Sequence, residues 1–276
     1  METNLKSLEK IRPEIYYLDP NPKGSPVVLL LHGLGADSSS WGYQIPILSE
    51  ANMRPICVDL PGFGKSPIME RNWKISKITG QVADLTKGLT SSCIVVGISM
   101  GGTVALQLCL DYPELVERLV LVSTFATLKP KHLHEWIYLS SRYIKARLQG
   151  VNAQAEMVAK RIFPNPNQNS LRGILVDQIH QANPTAYVSA MRALRFFDVR
   201  KRLNEISVPT LVISGGNDTT VPLENQTEMT NKIHGARQII IPGGGHAIIA
   251  DQPDIFNQVL LDFLSDGKPG SLSSNS

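Results

Sequence analysis

The chain has 276 residues, with 27 Lys and Arg against 24 Asp and Glu, a net charge of +3. That length fits one large α/β domain or two small ones, with a core that needs no disulfide staples. Its 42% hydrophobic and 18% charged content is ordinary for a soluble globular protein, the charge is too small to point to nucleic acid, and no run reaches the roughly 18 apolar residues of a membrane span.

The first residues, M-E-T-N-L-K-S-L-E-K, lack the apolar stretch of a secretory signal, so a cytoplasmic protein is expected. Glu14 to Leu18 reads as a first edge strand, and Asp19 to Gly24 as a turn by composition. Val27 to Leu31, V-V-L-L-L, is a continuous apolar strand of the kind buried on both faces. It ends in His32-Gly33-Leu34-Gly35, a glycine-rich turn whose backbone N–H groups can point into a site. Trp41 to Ala51 reads as a helix capped by Ser38, Ser39 or Ser40, with Pro46 awkwardly inside it. Arg54 to Asp59 is a strand closed by Leu60-Pro61-Gly62-Phe63-Gly64-Lys65-Ser66, and Ser76 to Leu89 is a helix. Cys57, Cys93 and Cys109 are an odd set without close spacing, which argues against a disulfide framework or a zinc site. Buried free thiols fit a reducing compartment.

The organising stretch runs from Ile94 to Gly102, I-V-V-G-I-S-M-G-G. Its β-branched start reads as a buried strand, and helical spacing follows from Thr103 to Leu110. Between them Gly97-Ile98-Ser99-Met100-Gly101 matches G-x-S-x-G, in which a serine sits on a strained strand-to-helix turn. The glycines permit the close approach of strand and helix, and the helix N-terminus offers free N–H groups to a developing negative charge. Val116 to Ser123 is a further strand. From Phe125 to about Glu205 the alternation stops, leaving helical stretches broken by Pro164, Pro166 and Pro184. It resumes with a strand over Thr210–Ser214, a helix over Val221–Ile233 with Pro222 near its first position, a strand over Gln238–Ile241, and a mostly helical Ile248–Leu264. The residues after Ser265 look like a disordered tail.

Alternating strands and helices imply a mostly parallel sheet covered on both faces, with ligands at the carboxyl ends of its strands. A serine needs a base, and the base an orienting acid. Asp218, in G-G-N-D-T-T-V-P, follows the Thr210–Ser214 strand, and His246, in P-G-G-G-H, follows the Gln238–Ile241 strand. Both therefore belong at the same end of the sheet as Ser99. Asp218 also reads as an ordinary helix cap. Asp198 falls in the middle stretch, while Asp251 and Asp254 sit early in the last helix, where they favour its dipole. His132, His134, His180 and His234 follow no core strand and read as solvated. The N–H groups of Met100 and Leu34 are the expected oxyanion donors, with His32 and Gly33 shaping the turn around Leu34.

H-G-L-G, D-L-P-G-F-G-K-S, G-I-S-M-G-G, G-G-N-D-T-T-V-P and G-G-G-H, in that order and spacing, resemble the α/β-hydrolase superfamily from about Val27 to Leu264. The resemblance implies a hydrolase core over residues 1–124 and 206–265, a helical lid over 125–205, and no cofactor. Ser99 stands where dehalogenases and epoxide hydrolases of this fold carry aspartate. Ile98 and Ala247 stand where carbon–carbon hydrolases usually carry Asn and Trp. Enol-lactonases and small carboxylesterases look closer, although Asp251 stands where relatives usually place Glu. The expected activity is hydrolysis of a small ester or lactone through an acyl-enzyme. Acyl transfer, carbon–carbon hydrolysis and a non-catalytic ligand-binding protein remain as alternatives.

Charge is uneven. Phe125 to Glu205 holds 13 Lys and Arg against 5 Asp and Glu, a net of +8, which leaves −5 for the rest. This fits either steering of acidic substrates or a solvated helix surface. Trp136 to Arg147 is amphipathic and basic, which fits a lipid interface, but packing of the lid on the core is the commoner cause of such a pattern.

Overall fold

The computed structural model describes residues 15–69, 73–129 and 133–265. Among these residues seven strands form one sheet: β1 (Tyr17–Leu18), β2 (Val27–Leu31), β3 (Arg54–Val58), β4 (Cys93–Ile98), β5 (Val116–Val122), β6 (Thr210–Gly215) and β7 (Arg237–Ile241). Their spatial order is β1-β3-β2-β4-β5-β6-β7, with β1 antiparallel and all other neighbours parallel. The helices are α1 (Gln44–Glu50), α2 (Ile75–Leu89), α3 (Met100–Asp111), α4 (Leu133–Leu148), α5 (Asn152–Ile162), α6 (Asn169–Gln181), α7 (Pro184–Arg195), α8 (Leu223–Lys232), α9 (Ile248–Asp251) and α10 (Pro253–Ser265).

β2 and β4 are apolar and buried along their whole length because both faces of the sheet are covered there, whereas β5 carries Glu117 and Arg118 and edge strand β7 leaves Ile239 and Ile240 partly exposed. Alternate residues point to opposite faces. Leu29, Leu31, Val95, Leu119 and Leu121 pack with α2 and α3 on one side. Val28, Leu30, Val96, Val120 and Ile213 pack with Trp41, Leu48 and α10 on the other. The chain is thus an α/β-hydrolase fold, with β4 and the Ser99 turn in the middle of the sheet.

Several boundaries differ from the sequence reading, each for a local reason. The first strand is only Tyr17–Leu18, and Glu14 lies outside the described residues. Ser38–Trp41 is a 3₁₀ turn capped by Asp37, not by a serine, and α1 starts at Gln44. Pro46 therefore falls in the first turn, where its missing N–H has no helical acceptor to lose. Pro222 precedes α8 as its N-cap. Pro253 cannot donate to a preceding turn, so the last helical stretch divides into α9 and α10. The expected tail, 266–276, and His132 lie outside the described residues.

Helices α4 to α7 lie between β5 and β6 in sequence. The chain leaves and returns through a narrow neck. Thr127 and Asp198 form an antiparallel bridge there, and Val199 N–H donates to the Ala126 carbonyl at 2.9 Å. The inner side of α4 faces the protein, with Ala146 buried. On its outer side, among the described residues, Leu133, Ile137, Ile144 and Leu148 are largely exposed. Among the described residues no helix is long and apolar enough to cross a membrane.

Candidate active site

Ser99 occupies the turn between β4 and α3 with φ +54° and ψ −114°. For a residue with a Cβ this backbone costs on the order of 1–3 kcal/mol and persists only when its surroundings over-determine it. They do so here. Ser99 N–H donates to the Val122 carbonyl at 2.9 Å. The Ser99 carbonyl accepts from Thr124 Oγ1 at 2.7 Å and from Thr103 N–H at 3.2 Å. Glycine is required on both flanks. A Cβ on Gly97 would lie 2.4 Å from the Gly101 carbonyl oxygen, and one on Gly101 would lie 2.0 Å from that of Leu31.

The turns after β6 and β7 bring two more groups to this point. His246 Nε2 is 3.0 Å from Ser99 Oγ, and His246 Nδ1 is 2.9 Å from Asp218 Oδ2. A carboxylate oxygen only accepts, so Nδ1 carries the proton and Nε2 is left to accept from the serine hydroxyl. The Asp218 side chain is fully buried and that of His246 nearly so. Asp218 Oδ1 accepts from the N–H groups of Thr220 (2.7 Å) and Val221 (2.9 Å). Asp218 does not cap α8, whose N-cap is Pro222: Oδ1 instead holds the loop from Thr220 to Val221, while Oδ2 faces the histidine. Burial alone would raise the Asp218 pKa. The His246 charge, its hydrogen bond and the two amides outweigh burial and hold the carboxyl below its ordinary value.

The turn after β2 lies against the serine, since a Cβ on Gly33 would sit 3.6 Å from Ser99 Cβ. His32 is fully buried within it. Its Nε2 accepts from Leu60 N–H at 2.9 Å, so its Nδ1 holds the proton and donates to the Gly33 carbonyl at 2.8 Å. Burial pushes its pKa below the usual histidine value, against the opposing pull of Gly33, Asp59 and Asp37. A neutral ring committed at both nitrogens clamps two loops and has no capacity left for proton transfer. The N–H groups of Leu34 and Met100 donate to no partner among the described residues. For Met100, the first residue of α3, this follows from helix geometry.

Two supporting residues had no role in the sequence reading, and a third, Asp251, had a different one. Thr124 pins the Ser99 carbonyl. Asp59 is buried and accepts from Ser38 N–H (2.7 Å) and Lys65 N–H (2.8 Å), tying the turn after β3 to the Asp37–Ser40 segment. Its place at the end of a strand, inside D-L-P-G-F-G-K-S, was the available signal. Asp251 does not sit at the start of the last helix. It ends α9, and its Oδ2 accepts from Gly245 N–H at 2.7 Å, beside the histidine it helps to position. Asp198 lies at the neck, paired with Lys129 and Arg200, away from His246. His180 and His234 are exposed.

Ser99 and His246 open onto a cavity of about 620 Å³. Its walls are mainly apolar, with Phe125, Val158, Leu171, Leu175, Met191 and Leu194 contributed largely by α5 to α7. Among the described residues no cluster of three His, Cys, Asp or Glu side chains is placed to hold a metal ion.

A family model of the α/β hydrolase fold matches residues 26–253. A protein of Variovorax paradoxus named "Putative carbamate hydrolase RutD" is 32% identical over 268 residues, covering 91% of this chain and 96% of the relative. Among solved structures, the enol-lactonase from Burkholderia xenovorans LB400 is 26% identical with a TM-score of 0.82, over 91% of this chain and 96% of its own. The bromoperoxidase from Bacillus anthracis is 28% identical with a TM-score of 0.84, over 91% and 95%. The family match runs from β2 through β7 to beyond the turn carrying His246, and so covers every group assembled around Ser99: the chain belongs to the α/β-hydrolase family.

Proposed function

We propose that the protein is a serine hydrolase of carboxylic esters or lactones with apolar acyl groups, and that Ser99, His246 and Asp218 act as its catalytic triad. The observation that carries this reading is the hydrogen-bonded chain from Asp218 through His246 to Ser99, set against a mainly apolar cavity. Ser99 Oγ attacks the carbonyl carbon while His246 Nε2 takes its proton. Asp218 holds the Nδ1 tautomer and stabilises the imidazolium. The unused N–H groups of Leu34 and Met100 receive the oxyanion, a contribution worth about 10²–10³ in kcat per donor in comparable sites. His246 then returns the proton to the leaving alkoxide, and water repeats the sequence on the acyl-enzyme. Helices α4 to α7 serve as a lid that surrounds the acyl group and excludes water.

A second reading, carbamate hydrolysis, is favoured by the name of the 32% identical relative. The same triad chemistry serves it. The cavity argues for the ester reading, because a carbamate ion is no larger than acetate and gains nothing from 620 Å³ of apolar space. A series of p-nitrophenyl esters of rising acyl length, run with and without a competing alcohol, tests the proposal alongside ammonia release from carbamate. Turnover that rises with acyl length and disappears in Ser99→Ala is expected. Ester exchange that outruns hydrolysis would move the protein to acyl transfer. Ammonia release above the spontaneous rate, with no ester turnover, would sink the ester reading.

A further inference from the structure

The cavity mouth and the outer face of α4 form one apolar, basic surface, and we propose that it docks on an anionic lipid surface. At 3.6 residues per turn, Leu133, Ile137, Ile144 and Leu148 fall within an arc of about 60° on the helix. They are 75%, 62%, 54% and 77% exposed, which is costly for side chains of this size unless something covers them. Lys145 and Arg147 flank the stripe on its two sides. This is the pattern of a helix that lies in a membrane interface, with apolar side chains down and cationic heads toward the phosphates.

The stripe is continuous with the site. Trp136, on the same helix, lines the cavity and lies under the Arg195 guanidinium at 5.4 Å. Phe196 and Ile174 are 73% and 56% exposed and line the cavity too. Exposed apolar residues beside the stripe thus also line the cavity.

Charge selects the occupant. The segment that carries the patch has 13 Lys and Arg against 5 Asp and Glu. A second copy docking isologously would set two such segments face to face and close both cavity mouths. An anionic bilayer is complementary instead, and it is a reservoir of apolar esters next to an apolar cavity. Docking itself needs no chemistry at Ser99, whereas the delivery of substrate rests on the ester reading above.

Flotation with vesicles of phosphatidylglycerol and phosphatidylcholine in equal parts, against phosphatidylcholine alone, tests the inference. The intact protein and Ser99→Ala are both expected to float with the anionic vesicles and to release as salt rises. Ile144→Glu combined with Leu148→Glu is expected to bind about tenfold more weakly or worse. It should still turn over a short water-soluble ester at the wild-type rate, since neither side chain lines the cavity. Turnover of a long-chain ester dispersed in the vesicles should fall with binding. Intact protein that stays in the buffer overturns the proposal, as does a double variant that floats like wild type. A solution dimer that the double variant splits would assign the face to a second copy, which overturns it as well. If the hydrolase reading fails and docking holds, Ser99→Ala and wild type float alike with no ester turnover. The reverse case is an active enzyme that does not float.

Discussion

Replacing Asp218 by Asn keeps the shape of its loop and removes only the charge. The amide oxygen can hold the N–H groups of Thr220 and Val221, now 2.7 and 2.9 Å from Oδ1. The amide nitrogen then faces His246 Nδ1 across the present 2.9 Å contact. An amide N–H only donates, so Nδ1 must give up its proton and Nε2 must take it. Nε2 is the atom 3.0 Å from Ser99 Oγ that, in the proposed mechanism, accepts the serine proton, so that step would be blocked. In a comparable triad this change costs about 10⁴ in kcat, which at about 1.36 kcal/mol per tenfold is some 5.5 kcal/mol of barrier. Asp251→Asn is the control. Its oxygen can still accept from Gly245 N–H, and its carboxyl, which burial holds above the ordinary value, makes no contact with the ring. A loss of less than about tenfold is expected there. Initial rates on a p-nitrophenyl ester, with thermal unfolding run in parallel, decide the matter. If Asp218→Asn keeps about a tenth of the activity or more, far above the triad figure, the acid is misassigned. It is equally misassigned if Asp251→Asn loses its activity with an unchanged unfolding temperature.

Other consequences are separately measurable. Gly101→Ala should destabilise the fold by about 3 kcal/mol or more, because the new Cβ would lie 2.0 Å from a backbone oxygen that cannot move aside. Gly173→Ala, mid-helix in α6 with nothing within 4 Å of the added Cβ, should gain about 0.5–1 kcal/mol, and urea midpoints of both variants check the pair. Burial pushes the thiols of Cys57, Cys93 and Cys109 up to about 12, so Ellman's reagent should find none of the three in the native protein and all of them after guanidinium is added. Arg200, against the opposing effect of burial and assisted by Lys129, holds Asp198 well below the usual carboxylate range. The native carboxyl is therefore more acidic than the unfolded one, and its stabilisation is complete above about pH 4 and lost as the pH falls further. Asp198→Asn should unfold at a lower temperature than wild type at neutral pH, with a gap that narrows below about pH 4 and no loss of ester turnover. A gap independent of pH would refute the ionic role of the neck.

The sequence makes most of the fold legible, because the central strands of a doubly covered sheet are apolar runs, and V-V-L-L-L or I-V-V-G-I needs no partner to be read as one. It also determined which residues meet. Ser99, Asp218 and His246 each follow a core strand, and parallel strands carry their following turns to one edge of the sheet. Local chemistry was less legible. Pro46 and Pro253 set helix limits through single missing N–H groups, and their effect depends on which turn of the helix they occupy. Tertiary structure alone decided the rest. Thr124 and Asp59 look like ordinary loop residues in the chain and Asp251 like one more acid near a helix start, and only the folded geometry aims them at the Ser99 carbonyl, the Ser38 amide and the Gly245 amide. Asp218 reads as a helix cap in one dimension, but the helix starts beyond its reach, after Pro222, and in three dimensions one oxygen holds the preceding loop while the other faces His246. The same holds for α4. Its periodicity announces an apolar stripe, yet whether that stripe meets the core or the solvent depends on how the helix is rotated over the cavity. Tyr143 and Leu139 take the inner face, which leaves Leu133, Ile137, Ile144 and Leu148 outside.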